Sequence, residues 1–362
     1  MLKNELKKNH WVPQCYLKNF TTTDGSAQVF MYQYNKETIL VGIDKVAAKN
    51  NLYTFPTKTG GQSKDIEKLF ATLEAAAAPI LEKIIKQESL ALTDNEKGWF
   101  VQFVTFLITR GPSFSDWQRN SQAEIEKWRM KIMAEHPEAL KKHFAEAGIT
   151  FKTDKEFTEM REALLNFDKY FKIEMKGGAS SLFKEAVQLT MDLIPYLGYT
   201  KSWHLLISDG QRVFVTSDNP VIIQQSVDFL PQYASGYGYG TLFLPLSPKI
   251  CFVMRNVPID KEVLRIGAKA VDYINGSIMK DAHRQIYANI KSKDIKRLRD
   301  RFQPGVESQV ISNRLWNSPY VITTGGKKDI ELQDLIRHSD KSIYHHDAIK
   351  DKTVGGMSDV SR

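Results

Sequence analysis

The stretch WFVQFVTFLITR, residues 99–110, constrains this chain more than any other. Ahead of it, Thr93 and Glu96 form the reciprocal pair that opens a helix. Behind it, Gly111-Pro112 stops one. Between those signals the residues are apolar on nearly every side. A helix without a polar face has to be covered all round, so this one is expected at the centre of the fold. It is about a dozen residues long, short of the roughly 20 apolar residues of a membrane span. It also contains Gln102 and Thr105, so it reads as a buried helix and no membrane association is expected.

The rest of the chain supplies elements to surround it. QVFMYQYN alternates apolar and polar residues, NKET is a turn, and ILVGI returns as a second strand. From Ser63, a candidate N-cap, the period becomes helical through Ile66, Leu69, Phe70, Leu73, Ile80, Leu81 and Ile84. Pro79 is expected to kink or divide that helix. Residues 114–147 read as a long charged amphipathic helix broken at Pro137, and 154–175 and 180–194 as two more. From Lys201 the β-pattern returns. SWHLLISD and RVFVTSD are expected to pair as a hairpin about DGQ, and TLFLPLSPKICFVMR to supply two strands around its prolines. Residues 260–283 read as a helix, QIYANI as a short strand and KDIKRLRDRF as a basic helix.

This order predicts an α+β fold: a mixed or antiparallel sheet formed by N-terminal and C-terminal strands, with a central helical bundle. Residues 1–310 are expected to form one domain with a helical middle at 63–195, part of 114–175 projecting as an arm. Residues 311–362 read as a C-terminal extension, frayed after about residue 340.

With 42 % hydrophobic and 25 % charged residues in 362, the chain can bury a large core without metal or disulfide. Cys15 and Cys251 are its two cysteines, which fits a reducing, cytoplasmic setting. No apolar leader opens the chain. A net charge of +8 favours anionic partners, nucleic acid or nucleotides.

Four short segments concentrate unusual residue types: HWVPQCYL (10–17), NNLYTF (50–55), TSDNP (216–220) and FLPLSP (243–248). Together with the helix pair ending in Arg110 they resemble the uncharacterised microbial family known as domain of unknown function 4238. The His-x-Val-Pro-x-x-Tyr-Leu opening and the Ser-Asp-Asn-Pro turn are the most recognisable features, and the resemblance spans roughly residues 9 to 290. It brings no established activity, so the chemistry rests on the residues.

Pro13 pushes Val12 toward an extended conformation, and the segment is expected to lie extended against the later sheet. His10 can act as acid or base or donate to a phosphate, and Gln14 and Tyr16 can meet a substrate. Arg110, leaving a buried helix, can clamp an anion. Asp218 can orient His10, and Asn219 can hold a phosphate or carbonyl. Tyr53 is a further candidate to meet a substrate, and Tyr237 and Tyr239 are candidates to stack on bases. On this reading the chain is a metal-independent hydrolase or transferase of nucleic acid or nucleotide phosphodiesters, with His10, Arg110, Asp218 and Asn219 catalytic and no cofactor.

Each feature also has a structural reading. Trp11, Tyr16, Leu17 and Phe20 can form a plug, Asp and Asn can close a turn on their own backbone, and Arg110 can pair with Glu74. The alternative function is a non-catalytic nucleic-acid-binding or effector module, with Lys296, Arg297 and Arg299 gripping phosphates. GYGYGT does not lead into a helix and fails as a phosphate loop. The tail groups His338, Asp340, His345, His346 and Asp347 are not expected to form a metal site.

Overall fold

A computed structural model describes residues 8–50, 52, 55–56, 62–63, 65–171, 179–224, 240–256 and 261–302. Tyr53, Tyr237, Tyr239 and the extension 311–362 lie outside the described residues. Contacts divide the chain into two compact units, Met1–Ser113 with Val187–Arg362, and Phe114–Ala186.

The described residues begin with β1 (Lys8–His10) and the one-turn helix α1 (Gln14–Leu17), then β2 (Gln28–Tyr32), β3 (Ile39–Gly42), β4 (Ala48–Asn50), β5 (Phe55–Pro56) and β6 (Gln62–Ser63). The long helix α2 (Asp65–Gln87) follows. It runs on through Pro79, which sits on its exposed side, where solvent can hydrate the Ala75 carbonyl that the missing N–H leaves without a donor. Ser63 closes β6 instead of capping this helix. Helix α3 (Asp94–Thr109) starts at the expected capping box, Thr93 Oγ1 accepting from Glu96 N and Glu96 Oε2 from Thr93 N. Its residues from Phe100 to Thr109 are buried apart from Gln102, as an all-apolar helix requires.

Helices α4 (Pro112–Glu135), α5 (Pro137–Glu146), α6 (Asp154–Leu165) and α7 (Phe167–Tyr170) follow, with the break at Pro137 where proline opens α5. The second unit closes its own core around Ala134, Leu140, Phe144, Phe157, Leu164 and Phe167. Helix α8 (Ala179–Thr200) leads back to the first unit.

There β7 (Ser202–Ser208), β8 (Thr216–Ser217), β9 (Ile222–Gln224), β10 (Thr241–Pro245), β11 (Ile250–Arg255) and β12 (Val263–Ile266) precede helix α9 (Ala268–Asp281), β13 (Ile286–Ala288) and helix α10 (Lys293–Arg301). Two main sheets result. One, in the order β3-β2-β13-β8, joins N-terminal to C-terminal strands and is antiparallel throughout. The other, β12-β7-β11-β10-β9, is mixed, with β12 parallel to β7. The fold class is α+β.

The second sheet explains its own sequence. Every residue of β10 and β11 is buried, because the sheet is covered on both faces. Phe252 and Trp203 meet Phe100 of α3 with ring centroids 4.9 and 5.9 Å away. Cys251 and Val253, pointing the opposite way, join Val271, Ile274 and Ile278 of α9. Two sequence readings are corrected here. The strand SWHLLIS does not pair with RVFVTSD; as a central strand it takes β11 and β12 as neighbours, and β8 pairs with β13. The segment read as one helix over 260–283 begins with β12, whose backbone is satisfied along β7 before Gly267 opens α9.

Candidate functional site

The N-terminal segment lies where three other motif segments meet. Pairing of β1 with β4 fixes its first residues, His10 opposite Ala48, and Trp11 N donates to Ala47 O at 2.9 Å. Asn9, buried, accepts from Leu52 N at 3.0 Å and donates to Glu67 at 3.1 Å. Pro13 then holds an extended conformation (φ −60°, ψ 141°) and its carbonyl receives the amides of Tyr16 and Leu17, turning the chain into α1. Val12, Tyr16, Leu17 and Phe20 are fully buried as one wedge, and Gln14 faces solvent.

Tyr16 is the hub of that wedge. Its hydroxyl donates to Pro245 O at 2.6 Å and lies 2.8 Å from Thr216 Oγ1. One phenol thus joins the opening segment to both TSDNP and FLPLSP. Burial raises its pKa well above the usual tyrosine range. The expectation that Tyr16 meets a substrate is corrected: its hydroxyl has no exposure and is held by two protein partners.

Asp218 is held as tightly. Its side chain accepts from three consecutive backbone amides, His283 N at 2.9 Å on Oδ1, and Arg284 N and Gln285 N at 2.9 and 3.1 Å on Oδ2. Its own amide donates to Gln285 O at 2.9 Å. Burial pushes its pKa up to about 6, while the three amide donors pull the other way. Asn219 Nδ2 donates to Asp281 O at 2.9 Å, and Ser217 Oγ bonds both the amide and the carbonyl of Asn219. TSDNP is therefore a staple between the end of α9 and the start of β13, reaching more than sixty positions ahead. Reading Asp218 as the group that orients His10 is corrected on the same ground, since its carboxylate faces the amides of 283–285.

Arg110 caps the buried helix α3 with 5 % of its surface exposed. Its Nη1 reaches Glu74 at 3.0 Å, its Nη2 donates to the carbonyl of His10, and the guanidinium lies 4.5 Å over the Phe70 ring. It grips the N-terminal backbone instead of a diffusing anion. The His10 ring is half-buried, with Nε2 3.2 Å from Asp44 O. That burial lowers its pKa, opposed by the Asp44 carbonyl. Cys15 is held as a thiol, pushed up to about 12 by burial and then by Glu74. Trp11 completes the knot: its Nε1 donates to Asp218 O at 2.9 Å.

The structure thus brings His10, Arg110 and the TSDNP turn together, through backbone carbonyls. The imidazole, guanidinium and carboxylate face different partners. An open hollow of about 560 Å³ lies within the second unit, between Lys141, Ile149, Phe151, Lys152 and Phe157, and includes none of them. Among the described residues no three His, Cys, Asp or Glu side chains are grouped to hold a metal ion, and no helix is long and apolar enough to cross a membrane.

The basic helix α10 divides cleanly. Ile295, Leu298 and Phe302 pack inward, and Arg299 goes with them at 3 % exposure. Arg299 Nη1 donates to Gln33 O at 2.8 Å and Lys36 O at 3.0 Å, pinning the β2–β3 turn. As a phosphate contact Arg299 is corrected, because its fork is sealed against that turn. Lys296 and Arg297 point outward, 3.8 Å from Glu37 and Asp294 respectively. Lys293 and Arg301 are exposed as well. Lys280, from the end of α9, lies 4.9 Å over the Phe302 ring that Arg301 also covers, at 5.5 Å. Sequence reasoning missed Lys280 and Arg301. It also missed Arg299's inward turn, which the spacing Ile295, Arg299, Phe302 carries: four and three residues place all three on one face.

A family model described as Protein of unknown function (DUF4238) matches residues 8–292. The chain belongs to this family. The match begins at β1 and ends at the N-cap of α10, so the knot around Tyr16, Arg110 and Asp218 lies wholly inside the family's span, and the helix beyond Ser292 lies outside it. No curated protein and no solved structure matches the chain.

Proposed function

We propose that this member of the family is a non-catalytic nucleic-acid-binding module that grips the phosphate backbone with the outward side of α10. The observation that carries the reading is the division of that helix. Ile295, Leu298 and Arg299 anchor it inward, and Lys293, Lys296, Arg297 and Arg301 are left on its solvent side with Lys280 beside them. A rigid helix that displays cations toward water binds polyanions by releasing their counterions. The net charge of +8 draws such partners from a distance.

Fluorescence anisotropy with a labelled oligonucleotide tests it. Log affinity should fall linearly with log salt. Lys296→Glu combined with Arg297→Glu should weaken binding roughly tenfold or more and flatten the slope by about one unit for each phosphate no longer neutralised. Binding indifferent to both salt and this pair overturns the reading.

A second reading, a metal-independent phosphodiester hydrolase or transferase, keeps one supporting observation. The His10 ring reaches solvent, and its lowered pKa makes it a neutral base near pH 7. Arg110 and Asp218 would there position the segment and take no part in the chemistry. Turnover of a phosphodiester that His10→Ala abolishes would favour this reading; turnover that survives His10→Ala ends it.

A further inference from the structure

Within Phe114–Ala186, helix α4 has two apolar faces. One packs Met130, Met133 and Ala134 into the unit's own core against Leu140, Phe144 and Phe157. The other carries Trp117, Ile125 and Trp128, which are 53 %, 60 % and 66 % exposed. Trp117, Ser121, Ile125, Trp128 and Ile132 follow at steps of four, four, three and four residues. At about 100° per residue this is a single strip, turned roughly half a circle from Met130. Two tryptophans and an isoleucine aligned on a solvated helix mark an interaction surface.

We propose that this strip is an interface between two copies of the chain, with the α4 helices running antiparallel across a two-fold axis. The steps of three and four are those of a helix–helix seam. In the antiparallel register that sets Ile125 against Trp128 of the second copy, Ser121 falls against Ile132. The small serine leaves the hole that the branched side chain fills. In the same register Glu124, on the flank of the strip, falls beside Lys131 of the second copy, and symmetry repeats the pair. The strip therefore carries its own charge complement, which identifies a second copy as the occupant. Both charged heads reach solvent at 71 % and 36 % exposure and are paired locally, Glu124 with Lys127 at 3.4 Å and Lys131 with Asp168 at 3.5 Å. A parallel pairing would set Glu124 beside Arg129 and leave Lys131 out.

Sedimentation equilibrium of the full chain across micromolar concentrations tests the interface. The wild type should be dimeric and Trp128→Glu monomeric, with unchanged far-ultraviolet circular dichroism. Glu124→Lys and Lys131→Glu should each weaken the dimer roughly tenfold, through two symmetry-related repulsions, and the two together should restore it. This charge exchange decides the matter even if Trp128→Glu unfolds. A wild type that stays monomeric overturns the proposal, as does a dimer that a folded Trp128→Glu leaves intact. Dimerisation weakened by Glu124→Lys and untouched by Lys131→Glu overturns it too, in favour of the parallel pairing.

Discussion

Trp11 Nε1 donates to the carbonyl of Asp218 at 2.9 Å, tying together residues 207 positions apart. The indole reaches that carbonyl while lying against Gly111 at the end of the central helix. With Arg110 holding the carbonyl of His10, the opening segment is clamped from two sides. Trp11 and Arg110 thereby fasten the opening segment to the rest of the fold.

Tyr16→Phe should destabilise the chain by about 1–3 kcal/mol, because it strands the buried Pro245 carbonyl and Thr216 hydroxyl and leaves the ring packing intact. Urea unfolding measures it. A loss below about 0.5 kcal/mol would mean that the phenol is not the hub described.

Arg110→Ala should cost more, roughly 2–4 kcal/mol, since it removes a buried cation from Glu74, from the His10 carbonyl and from the face of Phe70. Glu74 keeps 29 % of its side chain in water, so Glu74→Gln should cost less. Thermal melts of the two variants should rank them in that order, and the reverse order would refute the clamp.

Asp218 predicts a pH signature. Its carboxyl is raised from 3.8 to about 6, so the folded chain holds this proton more tightly than the unfolded one. Stability from this group is therefore complete below about pH 4 and is lost as pH rises through 6. The span is on the order of 3 kcal/mol. The difference in unfolding free energy between wild type and Asp218→Asn should shift against the wild type over that interval. A difference that does not change from pH 4 to 7 contradicts the raised value.

Arg299 and Arg297 separate structure from binding on one helix. Arg299→Ala should lower the melting temperature, since it releases the β2–β3 turn at Gln33 and Lys36. Arg297→Ala, 81 % exposed at its side chain, should leave stability within about 0.5 kcal/mol and weaken only oligonucleotide binding. Equal melting temperatures for the two would undo the division of α10 into an anchoring side and a displayed side.

Local signals were legible wherever they act over a few residues. Thr93 and Glu96 announced α3, Pro137 the break after α4, the run KDIKRLRDRF α10, and the apolar band at 99–109 its own burial. The hairpin expected at DGQ failed for a different reason. Ser202–Ser208 is apolar enough to be a central strand, and which neighbours a central strand takes depends on segments far along the chain, here β11 and β12.

For the candidate site the same divide holds. Residue types by themselves picked out the segments that meet, 10–17, 110, 216–220 and 243–248, since His, Trp, Tyr and Asp crowded about prolines are unusual anywhere. Whether those groups face water or one another was decided only in three dimensions. A carboxylate such as Asp218 turns from reagent to fastening when three backbone amides converge on it, and Arg110 does the same when a strand carbonyl lies within reach of its fork. Those donors and acceptors belong to the main chain, which every residue carries alike, so no side-chain pattern could announce them.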